Sequence, residues 1–192
     1  MAKTTRIAYV TIDTLGNTTD FGDLTVARKA FGSTNNDTRG VFMGGESGEQ
    51  VMDYVTMGNT PLSNATTFGT LTSGSYNAGN GLISNGTRGI MSIGGGTNSG
   101  GYNNIIEYIT IATPSNSTDF GNLTEGRSSA GQASSETRGL IAGGKYTNGG
   151  GSVRTAIDYI TIATLGNAGD FGDLTQARSN LAGLSDTGAL RE

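Results

Sequence analysis

The stretch TAIDYITIATLGNAGDFGDLTQARSNLAG, residues 155–183, decides the fold because a recognisable copy of it occurs four times in the chain. Its marker Phe-Gly-x-Leu-Thr recurs at spacings of 47, 52 and 51 residues, beginning at Phe21, Phe68, Phe120 and Phe171. A tyrosine precedes the marker by 12, 14, 12 and 12 residues. A period of this length predicts a repeat architecture. We therefore treat residues 1–192 as one repeat domain, with units of about 6–50, 51–103, 104–154 and 155–192.

Composition and patterning favour short strands joined by tight turns. The chain has 33 Gly and 2 Pro, and its Thr, Ile, Val and Tyr residues stand between clusters of Gly and Asn. Four β-prone segments recur, of the types IDYITI, DFGDLT, ARSNLAGLS and RGLIAGG. The first is apolar on both faces, which predicts a strand packed on both sides. The turns TLGN, TPSN and TPLSN that follow it are expected to place Gly and Asn at positive φ.

Four strands in a unit of about 50 residues are typical of a propeller blade. We label the strands a to d from the axis outwards, with ARSNLAGLS as a, the Gly-pair segment as b, and IDYITI and DFGDLT as c and d. One blade then ends, and the next begins, at positions such as Gln176. The chain begins with c and d over residues 6–25 and ends with a and a weak b over residues 177–191. The predicted fold is all-β: a small four-bladed propeller closed by pairing of the N- and C-terminal strands. An open ring, or one completed by oligomerisation, is the alternative.

The order of these elements resembles the kelch repeat: a Gly pair, a Tyr, an aromatic residue, a Leu three positions later and an Arg. One full set is Gly94-Gly95, Tyr108, Phe120, Leu123 and Arg127, and a second is Gly143-Gly144, Tyr159, Phe171, Leu174 and Arg178. In the set around Phe68, Ser75 replaces the Arg. Phe stands where many kelch repeats carry Trp. The repeat consensus DYITIATxGNxxDFGDLTxAR is also similar to repeats in structural and tail-fibre-like proteins of tailed phages, including marine phages.

Charge and missing residue types narrow the expected function. A net charge of −4 offers no basic surface for nucleic-acid phosphates. No apolar run reaches the length of a membrane span, and the N-terminus lacks the features of a signal peptide. Cys and His are absent, which removes thiolate ligands and the commonest general base. We expect no enzyme activity, no catalytic residues, no metal site and no cofactor.

Two recurring sets of charged residues are interpreted as structural. Arg39, Arg88 and Arg138 precede the b strands and suggest a ring that binds anions, but we expect them to hold backbone carbonyls or a neighbouring Asp. Paired aspartates flank the Phe at Asp20 and Asp23, and again at Asp170 and Asp173. Such pairs suggest glycoside hydrolysis or calcium binding. Turn capping is the favoured interpretation, since the other two copies do not keep both carboxylates.

The b–c loops are the predicted binding face, because they vary in length and content while the strands repeat. Loops on a rigid scaffold commonly carry binding residues. Within the loops GGGTNSGGYNN and GGKYTNGGGSVR, the aromatic and cationic candidates are Tyr102, Lys145, Tyr146 and Arg154. The alternative is that these loops pack on one another or on a neighbouring subunit.

The phage resemblance implies a virion structural protein: a binding or assembly module of a tail fibre, spike or capsid decoration. It implies other virion proteins as partners, several copies in each particle, and contact with a host-surface glycan or receptor. Nucleic acid and membrane insertion are not expected. The location implied is the extracellular particle, after synthesis in the host cytoplasm without a signal peptide. The alternatives are a freestanding carbohydrate- or receptor-binding lectin and a glycosidase-like propeller that uses the Asp pairs.

Overall fold

The regular structure is entirely β in the part of the chain that the computed structural model describes, residues 3–45, 49–58, 62–75, 82–94, 102–146 and 152–184. The strands are β1 (Thr4–Tyr9), β2 (Thr19–Arg28), β3 (Gly32–Asn35), β4 (Arg39–Met43), β5 (Glu49–Thr56), β6 (Thr66–Ser75), β7 (Ile83–Ser84), β8 (Arg88–Ser92), β9 (Ile105–Thr110), β10 (Thr118–Asn122), β11 (Gly131–Ser134), β12 (Arg138–Ala142), β13 (Lys145–Tyr146), β14 (Ser152–Thr161) and β15 (Gly169–Arg178). Within these residues, no helix is long and apolar enough to cross a membrane.

The strands form one hairpin and three antiparallel four-stranded meanders, which we number as sheets. Sheet 1 is β1–β2, sheet 2 is β3–β4–β5–β6, and sheet 3 is β7–β8–β9–β10. Sheet 4 is β11–β12–β14–β15, with the short β13 added to β14. Sheets 2 to 4 therefore contain strands a to d in order, as predicted, and sheet 1 contains only c and d.

A β-bulge between strands c and d lies beside each Gly of the Phe-Gly marker, and three of these four glycines have a positive φ. The register shifts beside Gly22, Gly121 and Gly172, whose φ values are +146°, +146° and +137°. At Gly121 a Cβ would lie 2.2 Å from the backbone oxygen of Gly166 in the following sheet. Glycine is thus needed both for the backbone conformation and for close approach between sheets.

The core lies between successive sheets. Each sheet has a forward face, which contacts the next sheet along the chain, and a rear face, which contacts the previous one. The cluster between sheets 2 and 3 joins Phe68 and Leu71 of a forward face to Ile109 and Ile111 of a rear face. The cluster between sheets 3 and 4 repeats this arrangement with Phe120, Leu123, Ile160 and Ile162. Strand c is therefore packed on both sides, as its apolar pattern predicts.

The a–b turns of sheets 2, 3 and 4 lie close together. They line one cavity of about 360 Å³, formed by Asn35, Asn36, Asp37, Ser84, Asn85, Gly86 and Glu136. Flat stacking would place sheets 2 and 4 roughly 20 Å apart, because packed sheets are about 10 Å apart, and their turns could not share a cavity of this size.

A closed ring is not present in the described residues. There, β1 forms hydrogen-bonded pairs only with β2, and neither strand is paired with β15. The predicted weak b strand around Asp186–Leu190 lies outside the described part of the chain.

The structure corrects two details of the sequence interpretation. The d strand does not end near Gln176: β15 continues to Arg178, and β2 likewise continues to Arg28. Strand a begins only after that Arg, as at Gly32 and Gly131. In addition, the Asn residues of the c–d turns are absent from the described positive-φ residues, which outside Gly are Ala30, Ser129 and Asn180. These Asn side chains instead make contacts between sheets.

Candidate binding surfaces

The predicted loop residues Lys145, Tyr146 and Arg154 are brought together by the β13–β14 hairpin. The Arg154 guanidinium lies 4.5 Å from the ring centre of Tyr146. Its Nε is 3.2 Å from Oε1 of Glu125, an ion pair without hydrogen-bond geometry. Lys145 continues the sheet through backbone bonds of 2.8 and 3.0 Å to Ser128. All three predicted side chains are half-buried.

Tyr102, the fourth predicted residue, reaches the same neighbourhood through its backbone. A Cβ on Gly126 would lie 2.2 Å from the Tyr102 carbonyl oxygen, and Gly126 adjoins Glu125. The four residues therefore lie at one end of sheets 3 and 4, where a half-buried aromatic ring and a guanidinium face are available for contact.

The arginines before the b strands hold the sheets together. Arg39 Nη1 donates to the carbonyl of Ile111 at 2.9 Å, and Arg88 Nη1 donates to that of Ile162 at 2.7 Å. Arg39, Arg88 and Arg138 each stack on the tyrosine of the neighbouring c strand, at 4.4, 5.0 and 5.1 Å from the ring centre. The carbonyl that would correspond to those of Ile111 and Ile162 for Arg138 belongs to Ile12 of sheet 1.

The paired aspartates cap bulges and bind hydroxyls of the paired strand. Asp20, Asp119 and Asp170 accept hydrogen bonds from the N–H groups of Gly22, Gly121 and Gly172 at 3.2, 3.1 and 3.0 Å. Asp23 and Asp173 accept from the hydroxyls of Thr5 and Thr155 at 2.7 and 2.6 Å. The expected capping role is therefore seen for Asp20 and Asp170, whereas Asp23 and Asp173 instead bind hydroxyls of the paired c strand. Among the residues that the structure describes, no three His, Cys, Asp or Glu side chains are grouped as metal ligands.

A repeated junction between successive sheets is the feature that sequence reasoning missed. In sheets 2 to 4, the Asn of the c–d turn accepts a hydrogen bond from the d strand of the preceding sheet. The pairs are Asn64 with Asp23 N, Asn116 with Thr70 N, and Asn167 with Asn122 N, each at 3.0 Å. The next residue returns a bond: Ala65 to Asp23 O, Ser117 to Thr70 O, and Ala168 to Asn122 O, at 2.8, 3.0 and 2.8 Å. The sequence did contain a signal for these contacts, because each of the four c–d turns has an Asn.

A buried carboxylate lies beside each of these contacts. Asp53, Glu107 and Asp158 precede the tyrosine of strand c. Each accepts from both the N–H and the hydroxyl of a threonine that lies on the preceding d strand or just after it: Thr25, Thr72 and Thr124. Arg28 and Arg127 each add a 2.9 Å ion pair, to Asp53 and Asp158. Burial lowers the pKa of Arg28, while the carboxylates of Asp53 and Glu49 oppose that shift.

The two ends of the described chain present the two halves of such a junction. On the forward face of sheet 4, Phe171 is 49% exposed, whereas Phe68 and Phe120 are each 3% exposed. A Cβ on Gly172 would meet no described atom within 4 Å. On the rear face of sheet 1, Ile12 is 94% exposed, whereas Ile111 and Ile162 are fully buried.

A cavity of about 300 Å³ opens on the forward face of sheet 4. It is lined by Ala133, Ser134, Ser135, Arg138, Leu140, Phe171 and Leu184. Residues 181–184 follow β15 and pack against β11: a Cβ on Gly131 would lie 2.7 Å from the Leu181 side chain. Leu82, just before β7, packs in the same way against Gly32 of β3. The chain therefore continues into the position of a further strand a.

No family model matches the chain, and no curated protein matches it closely enough to count as a relative.

Proposed function

We propose that this protein is a non-enzymatic binding and assembly module, a four-bladed kelch-like propeller that serves as a structural component of a phage particle. The observation that carries the architecture is the complementarity of the two chain ends. Among the described residues, sheet 4 exposes Phe171 on its forward face, and sheet 1 is followed by the exposed Val10 and Ile12, at the positions of residues that are buried in sheets 3 and 4.

Two features support closure within one chain: the shared cavity of the a–b turns, which favours an arrangement of sheets 2 to 4 around an axis, and the strand count. In this arrangement the remaining sector would be filled by β1 and β2 as strands c and d. The C-terminal residues would supply strands a and b. Asn17 of the β1–β2 turn would then meet Asp173 as Asn167 meets Asn122, and the Ile12 carbonyl would accept from Arg138. Such pairing also covers the free edge of β1, which would otherwise invite aggregation.

An assembly role is supported by how the repeated polar side chains are used. The recurring Arg, Asp and Asn residues bind backbone groups and each other within and between sheets, which makes a rigid scaffold. A rigid scaffold with variable loops at one end suits a tail fibre, a spike or a capsid decoration that contacts neighbouring virion proteins and a host-surface glycan or receptor. The similarity of the repeat consensus to repeats of phage structural proteins is the reason for proposing that this protein occurs in a phage particle, in several copies.

Two experiments test the proposal separately. Mass spectrometry and cryo-EM of the purified source particle should find this chain as a stoichiometric component, and its absence would refute the virion role. Light scattering on the isolated protein should give the mass of one chain, 19.6 kDa, at all concentrations if the ring closes on itself. A mass that rises with concentration would instead support a ring completed by several copies.

A freestanding lectin is the second candidate, favoured by the stacked Tyr146 and Arg154 at the loop end. A glycan array should then give a signal that Tyr146→Ala and Arg154→Met remove. The matched control is Leu165→Ala, since Leu165 is 49% exposed in a c–d turn at the opposite end of the strands. Signal that survives both loop variants would exclude this face as a sugar site.

A further inference from the structure

The junctions between sheets share a buried anion site in which a threonine supplies two donors. Thr25 N and Oγ1 lie 3.2 and 2.6 Å from the two carboxylate oxygens of Asp53. Thr124 N and Oγ1 lie 2.9 and 2.8 Å from those of Asp158. The carboxylate always comes from the residue before the tyrosine of strand c in the next sheet. Its two oxygens are thus held by a pair of donors in fixed geometry.

An arginine completes the site in the first and third junctions. The side chains of Arg28 and Asp53 are both 0% exposed, and those of Arg127 and Asp158 are 0% and 1% exposed. The second junction has Ser75 at the position of the Arg, and there Glu107 accepts from Ser117 in addition to Thr72. The second junction thus lacks the arginine, has Glu107 in place of an aspartate, and uses a serine hydroxyl as an additional donor.

The fourth set of residues keeps the donors but lacks the acceptor. Thr175 and Arg178 stand on β15 at the positions of Thr124 and Arg127. The residue before Tyr9, where the other copies carry Asp53, Glu107 and Asp158, is Ala8. Arg178 is exposed, and its Nη2 is 3.3 Å from Oε1 of Gln176 on its own strand.

We propose that the junction between sheets 4 and 1 binds a small carboxylate anion between Thr175, Arg178 and Ala8; this inference rests on the proposed ring closure. Alanine differs from aspartate by one carboxylate group, so formate has the size of the missing atoms. Closure moves Arg178 from solvent to a buried position, where an unpaired guanidinium is costly. An anion that enters the site pairs with Arg178 and accepts from both Thr175 donors, as Asp158 does in the preceding junction.

Thermal unfolding of the full chain in sodium formate, against sodium chloride at equal ionic strength and neutral pH, tests the site. Formate at ten times its dissociation constant should raise the wild-type midpoint by about 3 °C or more. Ala8→Asp should raise the midpoint in chloride and abolish the formate response, because the side chain fills the site. Ala8→Asn, the uncharged isostere, should also lose the formate response because it fills the same space, but it should not raise the midpoint in chloride. Arg178→Gln should likewise lose the formate response. Acetate, which is one carbon larger, should act more weakly than formate.

Equal midpoints in formate and chloride, together with no gain from Ala8→Asp, would overturn the anion site. Hydrogen exchange of the β1 amides that face away from β2, which are the ones meant below, separates that result from failure of the ring. Protected β1 amides with no formate effect leave the closed ring standing and refute the site alone. Unprotected β1 amides in both salts refute the ring and the site together. Protection that formate or Ala8→Asp strengthens supports both.

Discussion

The variant Asp158→Ala places an alanine before the tyrosine of strand c in sheet 4. Sheet 1 naturally has an alanine, Ala8, at this position. In the wild type, Asp158 accepts from Thr124 N and Oγ1 and pairs with Arg127 Nη2 at 2.9 Å. In Asp158→Ala the guanidinium of Arg127 remains buried, and it and both Thr124 donors lose this acceptor. Glu125 is 3.7 Å from Arg127 Nη1 but is itself 30% exposed, so it screens the charge only in part.

The expected decrease in the free energy of unfolding is estimated from the known cost of removing one partner of a buried ion pair. Removing one partner of such a pair destabilises proteins by about 3–5 kcal/mol. In a domain of this size each kcal/mol lowers the unfolding midpoint by about 2–4 °C, so the midpoint of Asp158→Ala should fall by roughly 6–20 °C. Since domains are stable by about 5–15 kcal/mol, the variant keeps a folded state that can be measured.

The assay is urea unfolding followed by circular dichroism, with calorimetry for the midpoint. Asp170→Ala is the matched control, because Asp170 is exposed and only caps the N–H of Gly172. Its midpoint should change by no more than about 2 °C. The double variant Arg127→Met/Asp158→Leu should recover part of the loss, since an apolar pair leaves no buried charge. A loss below about 1 kcal/mol for Asp158→Ala, or a double variant no more stable than the single one, would refute the reasoning.

Two further comparisons use equivalent positions inside and at the ends of the sheet series. Gly121→Ala should destabilise more than Gly172→Ala in thermal melts: both glycines have positive φ, but only at Gly121 would a Cβ collide with the Gly166 carbonyl, so equal losses would mean that the face of Gly172 is also covered. Asn116→Ala should cost about 1–2 kcal/mol in urea unfolding through its lost hydrogen bonds, and Asn17→Ala should cost the same only if the ring is closed.

The strand content of the fold could be predicted from the sequence because the information is local. Apolar residues on both faces of segments such as Met52–Met57 indicate a strand packed on both sides, and the Gly and Asn clusters mark the turns. The repeat period then gave four strands in each unit, and sheets 2 to 4 have them in the predicted order. Ring closure is a different kind of property, since it depends on a contact between residues far apart in the chain.

The junctions could not be predicted because their donors and acceptors come from different units. Thr124 and Asp158 are 34 residues apart, and neither carries a recognisable motif alone. The turn Asn was interpreted through its backbone preference, whereas its side chain is used across the junction, as Asn167 shows. The end of strand d was misplaced for a similar reason: Arg28 looked like the start of the next strand, but its side chain turns into the junction to meet Asp53.

The polar groups in the junctions also determine which sheets can be neighbours. The apolar faces are much alike, with Phe and Leu in front and Ile or Val behind, so hydrophobic packing alone would tolerate exchange between sheets. A forward face with Arg127 needs a carboxylate opposite, which sheet 4 supplies and sheet 1, with Ala8, does not. If sheet 1 packed on the forward face of sheet 3 in place of sheet 4, the guanidinium of Arg127 would be buried without a carboxylate partner. Such a misfolded state would be less stable than the native one by the same few kcal/mol that Asp158→Ala should cost. In the proposed closed ring, the junction between sheets 4 and 1 would lack a carboxylate for Arg178, so it would be the weakest of the four and the place where the ring opens first.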